Sequence, residues 1–194
     1  MTTRATLQQW RDVLLAGDVC PWPGPRPLTP DDEASLLCGR TDDLKAFRQA
    51  VGQNKLVILS GRTGIGKSSL LLRGLIPELE AAGYLVLPCR DWSGAVGQAD
   101  AAEFLSTRLR HLVVGSGRWD DEVVPHGAAL FGFLNVNLSK NTVLVLDQFE
   151  ELIRDAPAFT TQLFAALSYL NYHTDMKVII SLRSEYEHEL RALE

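Results

Sequence analysis

The sequence predicts a three-layer α/β/α fold, a parallel sheet covered by helices on both faces. Three observations carry this expectation. Short apolar runs at 56–59, 84–90, 143–146 and 176–182 alternate with longer stretches of helical periodicity, the pattern of parallel strands joined by crossover helices. A glycine-rich loop joins the first apolar run to a helical run that opens Leu70-Leu71-Leu72. Two of the runs are followed directly by a charged residue, Asp147 and Arg183. Those positions fall at the carboxyl ends of strands, where open sheets of this kind bind ligands.

A chain of 194 residues makes one domain, or one with a short appendage. Hydrophobic residues at 46% and charged residues at 22% describe a globular protein with a sizeable core. The net charge of −5 argues against nucleic acid as a partner, because such binders carry a basic face. Locally the balance reverses. Between 55 and 90 stand Lys55, Arg62, Lys67, Arg73 and Arg90, against only Glu78 and Glu80, a field suited to a polyphosphate. Cys20, Cys38 and Cys89 are far apart and the four histidines are scattered, so no zinc-type spacing is present. No signal segment opens the chain and no apolar run is long enough to span a bilayer. A reduced, cytoplasmic setting without membrane contact is expected.

Taken in order, residues 1–19 form a first unit, with Leu7, Trp10, Leu14 and Leu15 on one face of an amphipathic helix over 6–16. This face packs on the main domain or docks a partner. Residues 20–54 form a second unit. It opens Cys20-Pro-Trp-Pro-Gly-Pro-Arg-Pro-Leu-Thr-Pro30, with five of the nine prolines, and is extended, stiff and poor in backbone donors. Thr29 and Pro30 resemble a helix start. Thr41 or Asp42 is expected to cap a further helix through Leu44, Phe47 and Val51. Residues 55–194 form the core. A buried strand at 56–59 leads through the loop to a helix that Gly83 ends, and a second buried strand follows at 84–90. Helices are expected over 99–114, 128–136 and 155–172, and strands over 143–146 and 176–182.

The loop Gly61-Arg62-Thr63-Gly64-Ile65-Gly66-Lys67-Ser68 fits G-x-x-x-x-G-K-[ST] at every fixed position. Strand before and helix after are the context of a P-loop. Gly61, Gly64 and Gly66 let the backbone adopt conformations closed to other residues and bring N–H groups toward an anion. The helix beginning near Gly66 adds its positive end. Lys67 can reach β- and γ-phosphates, and the Ser68 hydroxyl can ligate Mg²⁺. Residues 61–69, through Ser69, are the candidate phosphate-binding set, with the Arg62 side chain facing solvent.

Downstream, Val143–Leu146 is a fully apolar strand ending in Asp147, followed by Gln-Phe-Glu150-Glu151. A carboxylate at a strand tip can hold Mg²⁺ opposite Ser68. Glu150 or Glu151 can orient and polarise an attacking water. Arg183 can sense a γ-phosphate, or form a surface pair with Glu185 or Glu187.

These segments together resemble one family. They are Cys20–Leu28, Leu37-Cys38-Gly39-Arg40, the loop with Arg73-Gly-Leu-Ile-Pro-Glu-Leu79, Leu144-Val-Leu-Asp-Gln-Phe-Glu-Glu-Leu152 and Ser181-Leu-Arg-Ser-Glu-Tyr186. The chain over about 20–190 is similar to the STAND class of P-loop NTPases, in its bacterial novel-STAND group, related to AAA+ and NACHT ATPases. The resemblance implies an ASCE-type P-loop NTPase fold and an ATP-driven switch. It implies that Gly39 and Arg40 lie near the base or ribose, although the acid that follows in the family pattern is here Thr41. It further implies Asp147 as metal-side acid, Glu150 and Glu151 as the catalytic pair, and Arg183 as sensor. Lys67 joins the catalytic set. Family members carry an effector, a winged-helix lid and sensing repeats, often oligomerise, and include antiviral defence proteins. The last strand, lid and repeats of that pattern do not fall within these residues, which would leave the P-loop strand at an exposed sheet edge; the expectation is either that the chain is part of a longer protein or that a partner completes the site.

The expected function is ATP binding and weak hydrolysis to ADP in a signal-transduction switch, with ATP and Mg²⁺ as cofactors. Its expected partners are a protein or the further domains, and a second copy of the chain. The alternatives are a nucleotide-stabilised interaction module with little turnover, and an AAA+-like remodelling ATPase.

Overall fold

The computed structural model describes residues 27–28, 37, 39–95, 100–127, 129–137 and 141–192. The expected helix at 6–16, most of the proline-rich lead-in and the helix start at Thr29–Pro30 lie outside the described residues.

Four strands form one parallel sheet: β1 (Leu56–Gly61), β2 (Leu85–Cys89), β3 (Thr142–Leu146) and β4 (Lys177–Arg183). Their order is β1-β4-β3-β2. Strand β4 is therefore inserted between the strand that carries the glycine loop and the strand that leads to Asp147, in keeping with the ASCE-type resemblance. The register pairs Gly61 with Arg183 and Leu146 with Ile180. The loop, the acid and Arg183 consequently share one rim of the sheet.

Successive side chains of a strand point to opposite faces, so each strand feeds two cores. On one face Leu85, Leu87, Leu144, Leu146, Val178 and Ile180 bury with Leu109, Leu130, Leu152, Leu163 and Leu170. These partners come from α4 (Ala101–Gly115), α5 (Ala129–Asn137), α6 (Glu150–Asp155) and α7 (Pro157–His173). On the other face Val86, Val143, Val145 and Ile179 bury with Phe47 and Val51 of α1 (Thr41–Gln53) and with Leu71, Leu75 and Leu79. That second set belongs to the helix behind the loop, built from α2 (Lys67–Ser69), a π-helical turn Leu70–Leu75 and α3 (Ile76–Ala81). The expected three layers result.

The π turn has a local cause. Pro77 has no N–H, and in a regular α-helix its ring would press on the carbonyl four residues back. Widening the preceding turn avoids this, and Ile76 N–H bonds to Leu71 O instead. Within that turn Gly74 lets α1 come close, since a Cβ there would lie 2.4 Å from Leu44 Cδ2.

The structure changes several expectations. Neither Thr41 nor Asp42 caps α1. Arg40 takes that position with no side-chain cap bond, and its guanidinium pairs with Asp43 at 3.0 Å. The helix expected over 155–172 is present as α7, Pro157–His173; it starts two residues later than expected, after Ala156, and Asp155 instead closes α6, because the residue before a proline is disfavoured in the helical region. Among the described residues strand β2 is an end of the sheet. Pro88, exposed in mid-strand, fits there because an edge needs no second donor. Strand β1 is not fully buried. Among the described residues it bonds only to β4, and Ile58 is 39% exposed. By contrast α4 begins as a capped helix should, with Asp100 Oδ1 accepting from the N–H groups of Ala102 and Glu103. Among the described residues no helix is long and apolar enough to cross a membrane.

Candidate functional site

Gly64 and Gly66 sit at φ +81° and +86°, left-handed conformations that other residues enter only with strain. Gly61, by contrast, is not left-handed. Its missing side chain instead makes room for Ile65, whose Cδ1 would lie 2.2 Å from a Cβ. Gly66 is the N-cap of α2, and its carbonyl accepts from Leu70 N–H at 2.8 Å. The Arg62, Thr63, Gly64 and Ile65 positions are exposed, while Ser68 and Ser69 are half-buried. The Lys67 ammonium folds back across the loop, donating to Gly61 O at 2.7 Å and Arg62 O at 3.2 Å.

Opposite the loop, the turn after β3 is held from both neighbouring strands. Asp147 N–H bonds to Cys89 O of β2, and Phe149 N–H bonds to Ser181 O of β4, each at 2.9 Å. The Trp92 indole N–H donates to Asp147 O at 2.9 Å, and the Trp92 ring meets Phe149 edge-on. Arg90 Nε donates to Gln148 Oε1 at 3.2 Å. Gln148 itself is the one non-glycine residue at positive φ among the described residues, at 57°. A long side chain rarely adopts that conformation; here the bonds on either side over-determine it.

This clamp aims the acids. Asp147 is 3% exposed, and neither of its carboxylate oxygens has a hydrogen-bond partner among the described residues. Arg90 Nε approaches one of them only to 3.9 Å. Glu150 is 5% exposed; its Oε1 pairs with Arg183 Nε at 3.2 Å and its Oε2 has no partner. Arg183 also reaches Glu185 at 3.7 Å. Burial holds the Lys67 ammonium below its ordinary pKa, offset first by Glu150 and then by Asp147, with Arg183 opposing them and Glu185 adding to the offset. Lys67, Asp147, Glu150 and Arg183 therefore lie within electrostatic reach of one another at this rim.

Glu151 does not join them. It lines a small cleft with Arg90, Asp91, Trp92, Ser93, Leu152 and Asp155. Arg183 pairs with Glu150, a partner the sequence did not indicate, and with Glu185. Glu187 instead accepts from the Ser60 hydroxyl and pairs with Arg191. Gly39 is exposed and left-handed at φ +73°, and Arg40 is engaged with Asp43. No hydrogen bond among the described residues ties either of them to the loop. Three groups were not anticipated: Trp92, Gln148 and Leu28, whose N–H reaches Ser69. A buried tryptophan in a loop of turn residues was the available signal for the first. Nothing marked Gln148, since glycine and asparagine are the usual occupants of such a conformation.

The buried carboxylate of Asp147, without a hydrogen bond among the described residues, fits a cation. Among the described residues no cluster of three or more His, Cys, Asp or Glu could hold a metal unaided. Magnesium does not need one, since it is held by one or two carboxylates together with phosphate and water.

A phosphate loop on one strand, an acid at the tip of another and a strand inserted between them define a P-loop NTPase module. The family described as Novel STAND NTPase 1 matches residues 21–194, and the chain belongs to it. Two solved structures share the fold. One is the Walker-type ATPase paby2304 of Pyrococcus abyssi, at 15% identity, covering 81% of this chain and 47% of that one, with a TM-score of 0.56. The other is the Aeropyrum pernix ORC1 protein, solved in complex with DNA, at 16% identity, 80% and 42% coverage, and a TM-score of 0.50. The chain thus spans less than half the length of either. No curated protein matches it.

Proposed function

We propose that this chain is the ATP-binding and hydrolysing switch module of a STAND signal-transduction protein. The observation that carries the reading is the buried Asp147 carboxylate, with no hydrogen bond to either oxygen among the described residues and Arg90 Nε only as near as 3.9 Å, on the same rim of the sheet as the loop and the Arg183–Glu150 pair. A buried carboxylate without a hydrogen bond is costly, and a nucleotide-borne cation offsets that cost. The backbone of residues 61–69 and the Lys67 ammonium grip the phosphates. Magnesium supplies charge neutralisation at the phosphates when bound, and Ser68 and Asp147 are the residues that would hold it. Glu150 orients and polarises the attacking water, and Arg183 balances charge on the γ-phosphate.

One cation, Arg183, then serves two anions. Paired with Glu150 at 3.2 Å, it restrains the acid; drawn to a γ-phosphate, it releases it. That sharing makes turnover slow and dependent on the phosphate, as a switch requires. Gly39 and Arg40 belong to the base and ribose end of the site. The signal sensed passes through further domains or a second copy of the chain, and bacterial defence signalling is the setting the family resemblance favours.

The test is calorimetric titration with ATP, with and without Mg²⁺, for the parent and Lys67→Ala, followed by phosphate-release assays. Binding is expected in the parent and not in Lys67→Ala. Glu150→Gln should bind and not turn over, whereas Glu151→Gln should turn over. Normal turnover in Glu150→Gln overturns the assignment of that residue, and equal binding by the parent and Lys67→Ala overturns the site.

A further inference from the structure

We propose that Leu28 is a positioning residue for the phosphate loop, its backbone N–H orienting the Ser69 hydroxyl so that nucleotide binding and the Leu28–Ser69 bond are coupled. The inference rests on the nucleotide-binding reading above. Its observation is a bond across 41 positions of sequence: Leu28 N–H donates to Ser69 Oγ at 3.0 Å, and Leu28 is buried. The segment from Cys20 to Pro30 contains five prolines, none of which has an N–H. Leu28 is one of six residues in the segment that carry an N–H, and its partner is a hydroxyl beside the Lys67-Ser68 pair.

A serine hydroxyl has one donor hydrogen and two acceptor lone pairs. Accepting from Leu28 occupies a lone pair and turns the O–H away from the Leu28 amide. That hydrogen is then free to donate to an anion in the loop. Donation to a charged phosphate polarises the oxygen and strengthens it as an acceptor. Each contact therefore favours the other. Such coupling is reciprocal: if nucleotide tightens the Leu28 bond by some factor, losing that bond weakens nucleotide binding by the same factor. A single hydrogen bond of ordinary net strength sets that factor at about two- to tenfold. Occupancy of the loop is in this way passed to Leu28.

The experiment is hydrogen exchange on the whole chain, with and without MgADP, alongside MgADP titration. Leu28→Pro deletes the N–H and leaves the loop sequence intact. Leu28→Ala keeps the N–H and serves as control. MgADP should slow exchange of the Leu28 amide two- to tenfold in the parent. Leu28→Pro should bind MgADP more weakly by a matching factor, and Leu28→Ala should not. Ser69→Ala should lose the nucleotide-dependent protection and Ser69→Thr should retain it, a pair that keeps the test valid if Leu28→Pro does not fold. MgADP binding with no change at the Leu28 amide overturns this proposal alone. No MgADP binding by the parent overturns it together with the reading beneath it.

Discussion

Replacing Arg183 with alanine should unfold the protein more easily, and adding Glu150→Gln should restore most of the loss. Glu150 is 5% exposed, with one carboxylate oxygen on Arg183 and the other without a partner. Removing one member of a buried pair costs about 3–5 kcal/mol, because the remaining charge is buried alone. The Arg183 side chain is 38% exposed, so solvent already screens part of the pair. Lys67 also lies within electrostatic reach of Glu150. Both effects reduce the expected cost to about 2 kcal/mol. With a urea dependence of about 2 kcal/mol per molar, the unfolding midpoint should fall by about 1 M. In the double variant no charge is stranded. Its midpoint should return to within about 0.25 M of the parent, for a coupling of about 1.5 kcal/mol. The assay is urea unfolding of the four proteins followed by tryptophan fluorescence and circular dichroism. A midpoint for Arg183→Ala equal to that of the parent, or a double variant that loses the sum of the single effects, would refute the pairing as an energetic link.

Two further outcomes follow from the same geometry. Trp92→Phe removes the indole N–H from Asp147 O while keeping an aromatic ring against Phe149. It should cost about 1–2 kcal/mol in urea unfolding, and it should weaken MgATP binding through a looser acid turn, as calorimetry would show. Burial pushes the Cys89 thiol from 9.0 up to about 11. The unfolded chain then loses this proton before the folded one does. Stability from this group is therefore complete below pH 9 and falls at about 1.4 kcal/mol per unit between pH 9 and 11. Cys89→Ala should flatten that part of the stability profile.

How much was legible in the sequence differs from element to element. The P-loop was legible because its demands are local: Gly64 and Gly66 need left-handed backbone, and a strand and a helix flank them within a few positions. Asp147 was legible because an apolar run ending in an acid is a local pattern too. Glu150 and Glu151 could not be separated. Adjacent residues on a helix point about 100° apart, so one faces the rim and the other does not. Which one does depends on how α6 docks, and that is set by Phe149 N–H on Ser181 O of β4 and Asp147 N–H on Cys89 O of β2. Pairing of Arg183 with Glu150 was likewise hidden, since residues 33 positions apart in sequence share no local signal, whereas Glu185 and Glu187 stood close by.

By itself, then, the chain's order of residues determined the elements, the glycine loop and the chemical types at the strand ends, because backbone conformation and side-chain alternation depend on near neighbours. The tertiary structure decided the rest. It placed Pro88 on a strand that ends the sheet among the described residues, turned Glu150 inward and Glu151 toward the Trp92 cleft, and brought Leu28 to Ser69; the edge position of β1 and the ASCE-type order were already expected from the family resemblance. Each of these placements is a contact between segments far apart in the chain. Such contacts are selected by burial of two apolar faces and by satisfaction of buried polar groups across the whole fold, quantities that no short stretch of sequence contains.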